Sequence, residues 1–504
     1  MAFARVQSAQ THLLTPRLVS VETDISFGLH SFSIVGLPDK AVEEAKDRVS
    51  AAIKNSGFTS PKSKNQKLTV SLAPAEMKKE GPAFDLPIAL SYLLSSEEIR
   101  FDPNGKLFLG ELSLDGSLRP VRGVLPVVNV ARNKKITELY VPKENAREAA
   151  LVGGISVYGV STLSELIEHL SKNTLVPEKK TKIEKTKNEN EVDFSDIRGQ
   201  ETAKRALLIA ASGGHNIALF GPPGTGKTML ARAFSGIMPA LSEKEMFEVT
   251  SIHSVAGVLD GAIVTDPPFR APHHTSSHIS LVGGGTYPKP GEVTLAHRGV
   301  LFLDEFPEFE KRSIEALREP LEDGIVSVSR AKGRERFPAR FTLLAAMNPC
   351  PCGNRGSSKR CICKETDLAR YERKISGPII DRIDMWISVG PIAHETLRGK
   401  SKDKENIRLR KAVETARNIQ KKRFAKKSIS LNSHMSVRDI ERLVRSAEDA
   451  VETLEQSAKA LGLSARGYHK VLRLSQTIAD LSGEKEIKKN HVLEALQYRP
   501  RVFS

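Results

Sequence analysis

The eight residues from Gly221 to Thr228 read GPPGTGKT and follow a short apolar run, 216–220. The apolar run predicts a strand, and the residues after the motif, MLARAFSGIM, predict a helix. Glycines at this spacing let a loop approach phosphates, Lys227 can reach the β and γ oxygens, and the Thr228 hydroxyl can hold Mg²⁺. The start of the helix would point its amides at the same phosphates. The predicted nucleotide ligands are Gly221, Pro222, Pro223, Gly224, Thr225, Gly226, Lys227 and Thr228.

Two later apolar runs end in polar side chains that suit the chemistry of a bound triphosphate. GVLFLDEF contains Asp304 and Glu305 at its end, and FTLLAAMN ends in Asn348. The carboxyl ends of parallel strands meet at one sheet edge, where Asp304 can hold the Mg²⁺ shell and Glu305 can orient the attacking water. A solvated acidic pair and a turn-forming Asn are the alternatives. The phosphate loop in the same chain favours the catalytic interpretation.

Length and composition predict a soluble protein with several domains. The chain has 504 residues, of which 39% are hydrophobic. A chain of this length is too long for a single core, and its apolar content is sufficient for several. No apolar run is long enough to span a bilayer, and the N-terminus, MAFARVQSAQ, lacks the apolar core of a secretion signal. We therefore expect a cytoplasmic protein without a membrane partner.

The charge balance predicts a polyanionic partner. Lys and Arg number 76 against 60 Asp and Glu, which gives a net charge of +16. An excess of this sign is typical of proteins that bind nucleic acid. Basic residues are dense over 400–427, and this segment is either a contact surface or a solvated helix face.

A second basic segment, GIVSVSRAKGRERFPARF, lies between the acidic pair and Asn348. The alternation of Val326 and Val328 before a turn at Gly333 predicts a β-hairpin. Basic side chains at its tip would contact DNA phosphates without reading bases, whereas a solvated outer hairpin is the alternative. The candidate DNA-binding residues are Arg330, Lys332, Arg334 and Arg336.

The segment 266–291 is rich in Pro, Gly and His. This composition predicts an insertion loop that lies outside the sheet core. Its histidines, His273, His274 and His278, have no acidic or cysteine companion close in sequence. A metal site there is therefore disfavoured.

All four cysteines fall in one short segment with the pattern C-x-C-x8-C-x-C. They are Cys350, Cys352, Cys361 and Cys363. Four thiolates satisfy tetrahedral Zn²⁺, although C-x-C is tighter than the usual C-x2-C spacing. Structural zinc next to Asn348 and a set of reduced or redox-active thiols both remain open, and disulfides are disfavoured in the cytoplasm.

A polar segment, 171–191, divides the chain. It is dense in Lys, Glu, Asn and Thr and has almost nothing to bury, which predicts a linker. Before it, the periodicity predicts strands at 18–24 and 67–72, a helix at 39–55 and a hairpin at Asp115-Gly116. The predicted domains are 1–170, which mixes α and β structure, 192–393 and 394–504.

The first domain resembles the peptidase domain of Lon-type proteases, a ribosomal S5 domain 2-like fold. The resemblance rests on LGELSLDGSLRPVRGV followed by ITELYVPKENAREA. Where such proteases carry a serine nucleophile, this chain has Ala83 within GPAFD, and Leu125 occupies the approximate place of the catalytic Lys. Alanine has no group to activate, so we expect a non-proteolytic relative.

The motifs RAPHHTSSHISLVGGG, PGEVTLAHRGVLFLDE, MNPCPCG, SGPIIDRID and SARGYHKVLRLSQTIADL together resemble the YifB/ComM family of magnesium-chelatase-like AAA+ ATPases. The resemblance implies an α/β multidomain chain: the Lon-like domain, an AAA+ P-loop core and a C-terminal helical lid of chelatase type. It implies a bacterial, hexameric, ATP-driven motor that acts on single-stranded or branched DNA, with recombination proteins as partners. It assigns a sensor role beside the γ-phosphate to Asn348, a finger acting on a neighbouring subunit to Arg382, and a second sensor to Arg466.

Two other classes compete with a DNA motor. A metal-insertion or protein-remodelling motor of chelatase type shares the core motifs, and an ATP-dependent protease is opposed by Ala83. The basic hairpin and the Lon-like domain favour DNA, on the expectation that chelatase motor subunits resemble only the part after the linker.

Overall fold

The computed structural model describes residues 2–12, 14–181, 192–261, 263–284, 289–330, 333–355, 359–392, 405–427 and 429–499. The chain divides into two compact units. The first consists of Met1–Lys185 with Glu243–Val264, and the second consists of Thr186–Ser242 with Thr265–Ser504. Within the described ranges, no helix has the length and apolar character needed to cross a membrane.

The first unit is built on a mixed sheet of seven strands. Their bounds are Ala2–His12 (β1), Thr15–Phe27 (β2), Ser31–Val35 (β3), Gln66–Ala73 (β4), Lys106–Phe108 (β5), Glu138–Pro142 (β8) and Ser156–Val160 (β9), with Glu111–Leu112 (β6) and Leu118–Arg119 (β7) as a separate hairpin. The order in the sheet is β3-β4-β2-β1-β5-β8-β9. Alternate residues such as Leu68, Val70 and Leu72 are fully buried, which is the period of a strand with one face on a core.

Helices cover this sheet. They are Lys40–Asn55 (α1), Asp85–Ser95 (α2), Val124–Asn133 (α3), Lys143–Ala149 (α4) and Leu163–Lys172 (α5). The predicted strands, the helix at 39–55 and the hairpin at Asp115-Gly116 are confirmed. Asp39 caps α1 by accepting a hydrogen bond from the Val42 amide at 2.9 Å. Ala83 lies in a short 3₁₀ turn, and Leu125 is buried in the core.

The first part of the predicted linker packs against the first unit. The Glu178 amide donates to the Val157 carbonyl at 2.7 Å, and the Thr181 amide donates to the Ala150 carbonyl at 3.2 Å. Residues 182–191 lie outside the described residues. The predicted linker is therefore paired with the first unit at least as far as Thr181.

The second unit is built on a parallel sheet. Its strands are Ile217–Phe220 (β10), Phe269–Arg270 (β11), Val300–Leu303 (β14), Thr342–Met347 (β17) and Met385–Ser388 (β18), in the order β11-β14-β17-β10-β18. Every residue of β14 and β17 is buried, as expected where helices cover both faces. The strand order reverses at β10, and ligands of such sheets bind beyond the carboxyl ends of strands at this point.

The prediction that 266–291 contains no sheet core is wrong. Phe269 and Arg270 pair with Val300 and Leu301 at the edge of the sheet. The strand is only two residues long and stands between Pro268 and Pro272. The flanking prolines argue against a strand in a sheet centre, which is why the composition predicts a loop. They are compatible with a short strand at the sheet edge.

Short elements and the helices complete the second unit. The strands are Gly283–Gly284 (β12), Lys289–Pro290 (β13), Ile325–Arg330 (β15) and Gly333–Pro338 (β16); the helices before residue 400 are Glu201–Gly213 (α6), Lys227–Gly236 (α7), His278–Val282 (α9), Glu292–Leu295 (α10), Lys311–Glu315 (α11), Arg318–Asp323 (α12), Glu365–Glu372 (α13) and Gly377–Ile380 (α14). The C-terminal helices are Glu405–Arg423 (α15), Val437–Leu443 (α16), Glu448–Ala460 (α17), Ala465–Leu481 (α18) and Lys489–Gln497 (α19). A mixed α/β chain with a parallel sheet and a helical C-terminus is thus confirmed.

The C-terminal helices share one hydrophobic core with the sheet. Leu409, Val413 and Leu474 belong to the same buried cluster as Ile217 and Phe234.

Part of the basic segment 400–427 has a structural role that the sequence did not reveal. Arg410 donates to the Gly236 carbonyl, and Arg417 donates to the Ala211 carbonyl, each at 2.6 Å; these carbonyls lie at the ends of α7 and α6, where basic side chains satisfy unpaired groups.

The segment Glu243–Val264, which contains the helix Glu243–Ala256 (α8), belongs to the first unit although it interrupts the second in sequence. The Ser254 hydroxyl accepts a hydrogen bond from the Gly123 amide at 3.1 Å, and Phe247 and Ile263 pack against the core around α3. The sequence assigned this segment to a continuous domain over 192–393. Nothing in the sequence indicated this packing, because a local helical pattern does not identify the surface that the helix covers.

Candidate active site

The loop between β10 and α7 has the backbone that the motif predicted. Gly224 and Gly226 have φ angles of +79° and +87°, which side chains rarely adopt. A Cβ atom on Gly221 would lie 2.0 Å from the Val389 carbonyl oxygen. The Thr225 hydroxyl donates to the Pro222 carbonyl at 2.9 Å. The loop therefore presents its amides and the start of α7 to an anion.

Lys227 is the first residue of α7, and its ammonium group is held by three oxygen atoms. Nζ donates to the carbonyls of Gly221 at 2.7 Å and Pro222 at 2.8 Å, and to Asn348 Oδ1 at 3.2 Å. Burial lowers the pKa of Lys227, and the nearby carboxylates of Asp304 and Glu305 oppose that shift. The lysine that the motif predicted is thus in contact with Asn348, which follows β17.

Asp304 follows β14 and faces the start of α7. The Thr228 hydroxyl donates to Asp304 Oδ2 at 2.9 Å. A hydroxyl and a carboxylate in contact are the oxygen ligands that Mg²⁺ binds beside nucleotide phosphates. The pair therefore fits the magnesium site that the sequence predicted.

Glu305 is exposed and has a φ angle of +51°. This left-handed backbone is uncommon for a residue other than Gly. The Glu305 amide donates to Asp304 Oδ1 at 2.9 Å, and Glu305 Oε2 lies 3.0 Å from His274 Nδ1. His274 follows β11, so the strand that the sequence missed brings this histidine to the site.

The sequence pattern predicts no role for His274 in nucleotide chemistry. The available sequence signal is the adjacent pair His273 and His274 in the predicted insertion loop, and this pair suggests only a metal site. The rings of the two histidines lie 4.2 Å apart, and His273 Nδ1 is 2.9 Å from the Thr275 hydroxyl. Among the residues that the structure describes, the four cysteines are the single cluster of three or more His, Cys, Asp or Glu side chains with ligand atoms close enough to share a metal ion, and neither histidine belongs to it.

These groups line one cleft of about 630 Å³. Its walls are the phosphate loop from Pro223, the start of α7, residues 271–274, the end of β14, and Asn348. Asn348 is fixed by its main chain, whose carbonyl accepts a hydrogen bond from the Tyr371 hydroxyl at 3.0 Å. The cleft thus joins an anion-binding loop, oxygen ligands for a cation, and a carboxylate that can orient water.

The structure does not bring Arg382 or Arg466 into this cleft. Both side chains contact Glu322 at the end of α12 instead. Arg382 also donates to the Pro378 carbonyl at 2.7 Å. The two arginines therefore form a pair of their own within the second unit.

The cysteines form a compact cluster after β17. The Cys350 sulfur lies 3.4 Å from that of Cys352 and 3.8 Å from that of Cys361, and all four sulfurs lie within 4.8 Å of one another. Four thiolates about 2.3 Å from a central zinc ion would be about 3.8 Å apart. The amides of Asn354 and Ile362 lower the pKa of Cys352 to about 6, whereas burial and the neighbouring thiols raise the pKa of Cys363 to about 12. The arrangement therefore fits a tetrahedral metal.

Comparison with known proteins agrees with this geometry. The family model "Magnesium chelatase, subunit ChlI" matches residues 193–397, "Subunit ChlI of Mg-chelatase" matches 21–145, and "Magnesium chelatase, subunit ChlI C-terminal" matches 404–499. The chain is 42% identical over 511 residues to Competence protein ComM of Haemophilus influenzae, covering 100% of this chain and 98% of that protein. It is 39% identical over 495 residues to Uncharacterized protein YifB of Escherichia coli, covering 95% and 94%.

The chain belongs to the YifB/ComM family. As a YifB/ComM protein it is an AAA+ ATPase, a class that uses ATP and Mg²⁺. A more distant likeness, 23% identity over 328 residues, relates 60% of this chain to 36% of the zygotic DNA replication licensing factor mcm6 of Xenopus tropicalis.

The matches correct one argument made from the sequence. We expected chelatase motor subunits to resemble only the part after the linker, but a chelatase model also matches residues 21–145. The N-terminal part therefore does not separate a DNA motor of the YifB/ComM family from a chelatase-type motor.

The basic hairpin predicted before Asn348 is present. β15 and β16 pair antiparallel, with Val326 opposite Phe337 and Ser327 opposite Arg336. Arg336 is exposed. Lys332 and the side chains of Arg330 and Arg334 lie outside the described residues.

Proposed function

We propose that the chain is an ATP-hydrolysing DNA motor that assembles as a homohexamer. It would act as a branch-migration helicase in recombination and natural transformation, in the bacterial cytoplasm and together with recombination proteins. The observation that carries the proposal is the hairpin β15–β16, basic in sequence, which lies in the chain between β14 and β17. Asp304 and Glu305 follow β14, and Asn348 follows β17. A cycle of hydrolysis at those strand ends could therefore move the hairpin.

In this proposal the cleft binds ATP through its triphosphate. The loop amides and Lys227 hold the phosphates, while Thr228 and Asp304 hold Mg²⁺, which neutralises charge on the phosphoryl oxygens when bound. Glu305 accepts a hydrogen bond from the attacking water, and Asn348 positions that water beside the γ-phosphate. His274, 3.0 Å from Glu305, orients the carboxylate.

Two arginines complete the proposed reaction from a neighbouring subunit. Arg382 would act as the finger and Arg466 as the second sensor, since neither lines the cleft of its own chain. An arginine supplied in this way increases turnover by about 10³- to 10⁵-fold. The requirement for a neighbour supports a ring.

The hairpin would supply the DNA contact. Arg330, Lys332, Arg334 and Arg336 would bind phosphates in the centre of the ring, so contact would not depend on base sequence. The names of two relatives, a competence protein and a DNA replication licensing factor, support a DNA substrate. Residues 1–170 would be a non-proteolytic Lon-like domain, and 192–393 and 394–504 would be the AAA+ core and its lid, with α8 as an exception.

A double variant of the hairpin tests the DNA contact. We expect Arg334→Ala with Arg336→Ala to weaken DNA binding equally across sequences, and to lower the slope of log affinity against log salt by about one per lost contact. Stimulation of ATP hydrolysis by branched DNA should fall, while hydrolysis without DNA is retained. Fluorescence anisotropy over a salt series and a phosphate-release assay measure the two effects.

The matched control removes two exposed charges from the C-terminal region, by Arg442→Ala on α16 with Lys485→Ala between α18 and α19. This variant should bind DNA like the unmodified chain. Equal salt slopes for the hairpin variant and the control would contradict the proposed role of the hairpin.

The second candidate is a chelatase-like or protein-remodelling AAA+ ATPase that does not act on DNA. It is favoured by the three chelatase family models that match successive parts of the chain. Such a motor would hydrolyse ATP in the same cleft, but branched DNA would leave its turnover unchanged.

We further propose that Cys350, Cys352, Cys361 and Cys363 hold structural Zn²⁺. The four sulfurs leave no open position for catalysis, and the site would brace the loop that carries Asn348.

We expect about one zinc ion per purified chain by mass spectrometry of the metal content. Cys361→Ser should lose the metal and lower the melting temperature, whereas Ile362→Ser, its exposed neighbour, should do neither. Four titratable free thiols without metal would contradict the site.

A further inference from the structure

The pairing of both candidate arginines with one carboxylate carries an additional inference. Glu322 Oε2 contacts Arg382 Nη2, and Glu322 Oε1 lies 3.5 Å from Arg466 Nη2. The two arginines come from distant parts of the chain: Arg382 follows α14, and Arg466 lies in the first turn of α18. The Glu322 side chain on α12 therefore connects two segments that are far apart in the sequence.

Charge explains why a bridging residue is needed. Two guanidinium groups repel each other unless an anion lies between them. Glu322 compensates one of the two positive charges, and Arg382, followed by Arg466, lowers the pKa of Glu322 and keeps it ionised. A net charge of +1 remains on the group of three, so it can still attract an anion.

The surroundings fix one arginine and leave the other accessible. The Arg382 side chain is 8% exposed, its Nη1 donates to the Pro378 carbonyl, and its main-chain carbonyl accepts from Asn216 Nδ2 at 3.0 Å. Arg466 and Glu322 are 46% and 52% exposed. Glu322 therefore links the more exposed Arg466 to an arginine that the fold already holds.

We propose that Glu322 is a positioning residue that holds Arg382 and Arg466 together as one receptor for a phosphoryl group. The phosphoryl group would belong to the triphosphate bound by a second copy of this chain. Guanidinium groups bind phosphate through charge and hydrogen bonds. The exposed Arg466 offers its donors to the phosphoryl oxygens, while Arg382, whose terminal nitrogens already contact Glu322 and the Pro378 carbonyl, contributes mainly its charge. The inference rests on the proposed function, because it requires ATP hydrolysis between neighbouring subunits.

The helix that carries Glu322 also contacts the hairpin. Glu319, one turn earlier on α12, accepts a hydrogen bond from the Ser327 amide of β15 at 3.0 Å. Only Gly324, with a φ angle of +67°, separates α12 from β15. A change at the two arginines would therefore reach the base of the hairpin through a single short helix.

Glu322→Gln tests the proposal, with Asp323→Asn on the same helix as the control. We expect the affinity for ATP to be unchanged and kcat to fall by about 10- to 100-fold, as for a misplaced catalytic group. On an Arg382→Ala background, the same change should have little further effect. Glu322→Asp keeps the charge and should recover part of the activity, and Asp323→Asn should turn over ATP like the unmodified chain.

Mixing subunits provides a readout that a purely structural role would not move. Glu305→Gln chains keep their arginines but not their own water-orienting carboxylate, whereas Glu322→Gln chains keep an intact cleft. A mixture should hydrolyse more ATP than the two variants measured separately. Unchanged kcat for Glu322→Gln, or a mixture no more active than its parts, would overturn the inference. If the unmodified chain hydrolyses no ATP, the proposed function itself fails.

Discussion

Replacing Glu305 with glutamine is expected to leave ATP binding intact and to reduce turnover by at least about 10²-fold, the usual contribution of a positioned base. The amide that replaces the carboxylate has lost one of the two oxygens that can accept a hydrogen bond from water. Binding should persist because the loop amides, Lys227 and Thr228 are unchanged. A fluorescent ATP analogue measures binding, and phosphate release under single-turnover conditions measures the chemical step.

Glu310→Gln is the control for this prediction. Glu310 is an exposed carboxylate a few residues further along the same segment, so its replacement tests the effect of one lost charge. It should leave both binding and turnover unchanged. Full turnover by the Glu305 variant would mean that another group orients the water, and His274 would then be the first residue to replace.

Lys227→Ala is expected to remove measurable ATP binding. Lys227 is the charged group at the centre of the cleft, and its ammonium contacts the loop carbonyls and Asn348. Truncating one partner of a buried, hydrogen-bonded charge pair costs about 2–5 kcal/mol, which raises the dissociation constant by about 30-fold or more. Isothermal titration with ATP and Mg²⁺ measures the change directly.

Arg232→Ala provides the matched variant for Lys227. Arg232 lies on the same helix, is exposed, and does not line the cleft. Its replacement removes one positive charge from α7 and should leave the dissociation constant within the error of the measurement. Tight ATP binding by the Lys227 variant would show that the triphosphate is held elsewhere.

Much of the second unit was accessible from the sequence because its signals are local. The phosphate loop needs glycines at fixed positions, and β14 and β17 are apolar throughout because helices cover both faces of the sheet. Each strand is followed by the polar residue that the proposed chemistry requires. The contact between Thr228 and Asp304 follows because β10, which leads into the phosphate loop, and β14, which precedes Asp304, end at the same edge of the sheet.

Other features depend on contacts between distant segments, which a local pattern does not contain. α8 has an ordinary helical pattern, and only the core around α3 shows that it belongs to the first unit. β11 is two residues long between prolines, so His274 had no predicted position beside Glu305. Arg382 and Arg466 were found by resemblance, but their common partner Glu322 was not, because an exposed acid on a short helix carries no signal of its own.

The central claim is that ATP hydrolysis in this cleft moves DNA. Strand exchange on a three-strand junction, followed on a gel with purified chain, ATP and Mg²⁺, tests that claim most directly. The account predicts that the branch point moves with the unmodified chain, and remains in place with Glu305→Gln or with a non-hydrolysable ATP analogue. Steady ATP hydrolysis by the unmodified chain without any movement of the branch point would contradict it.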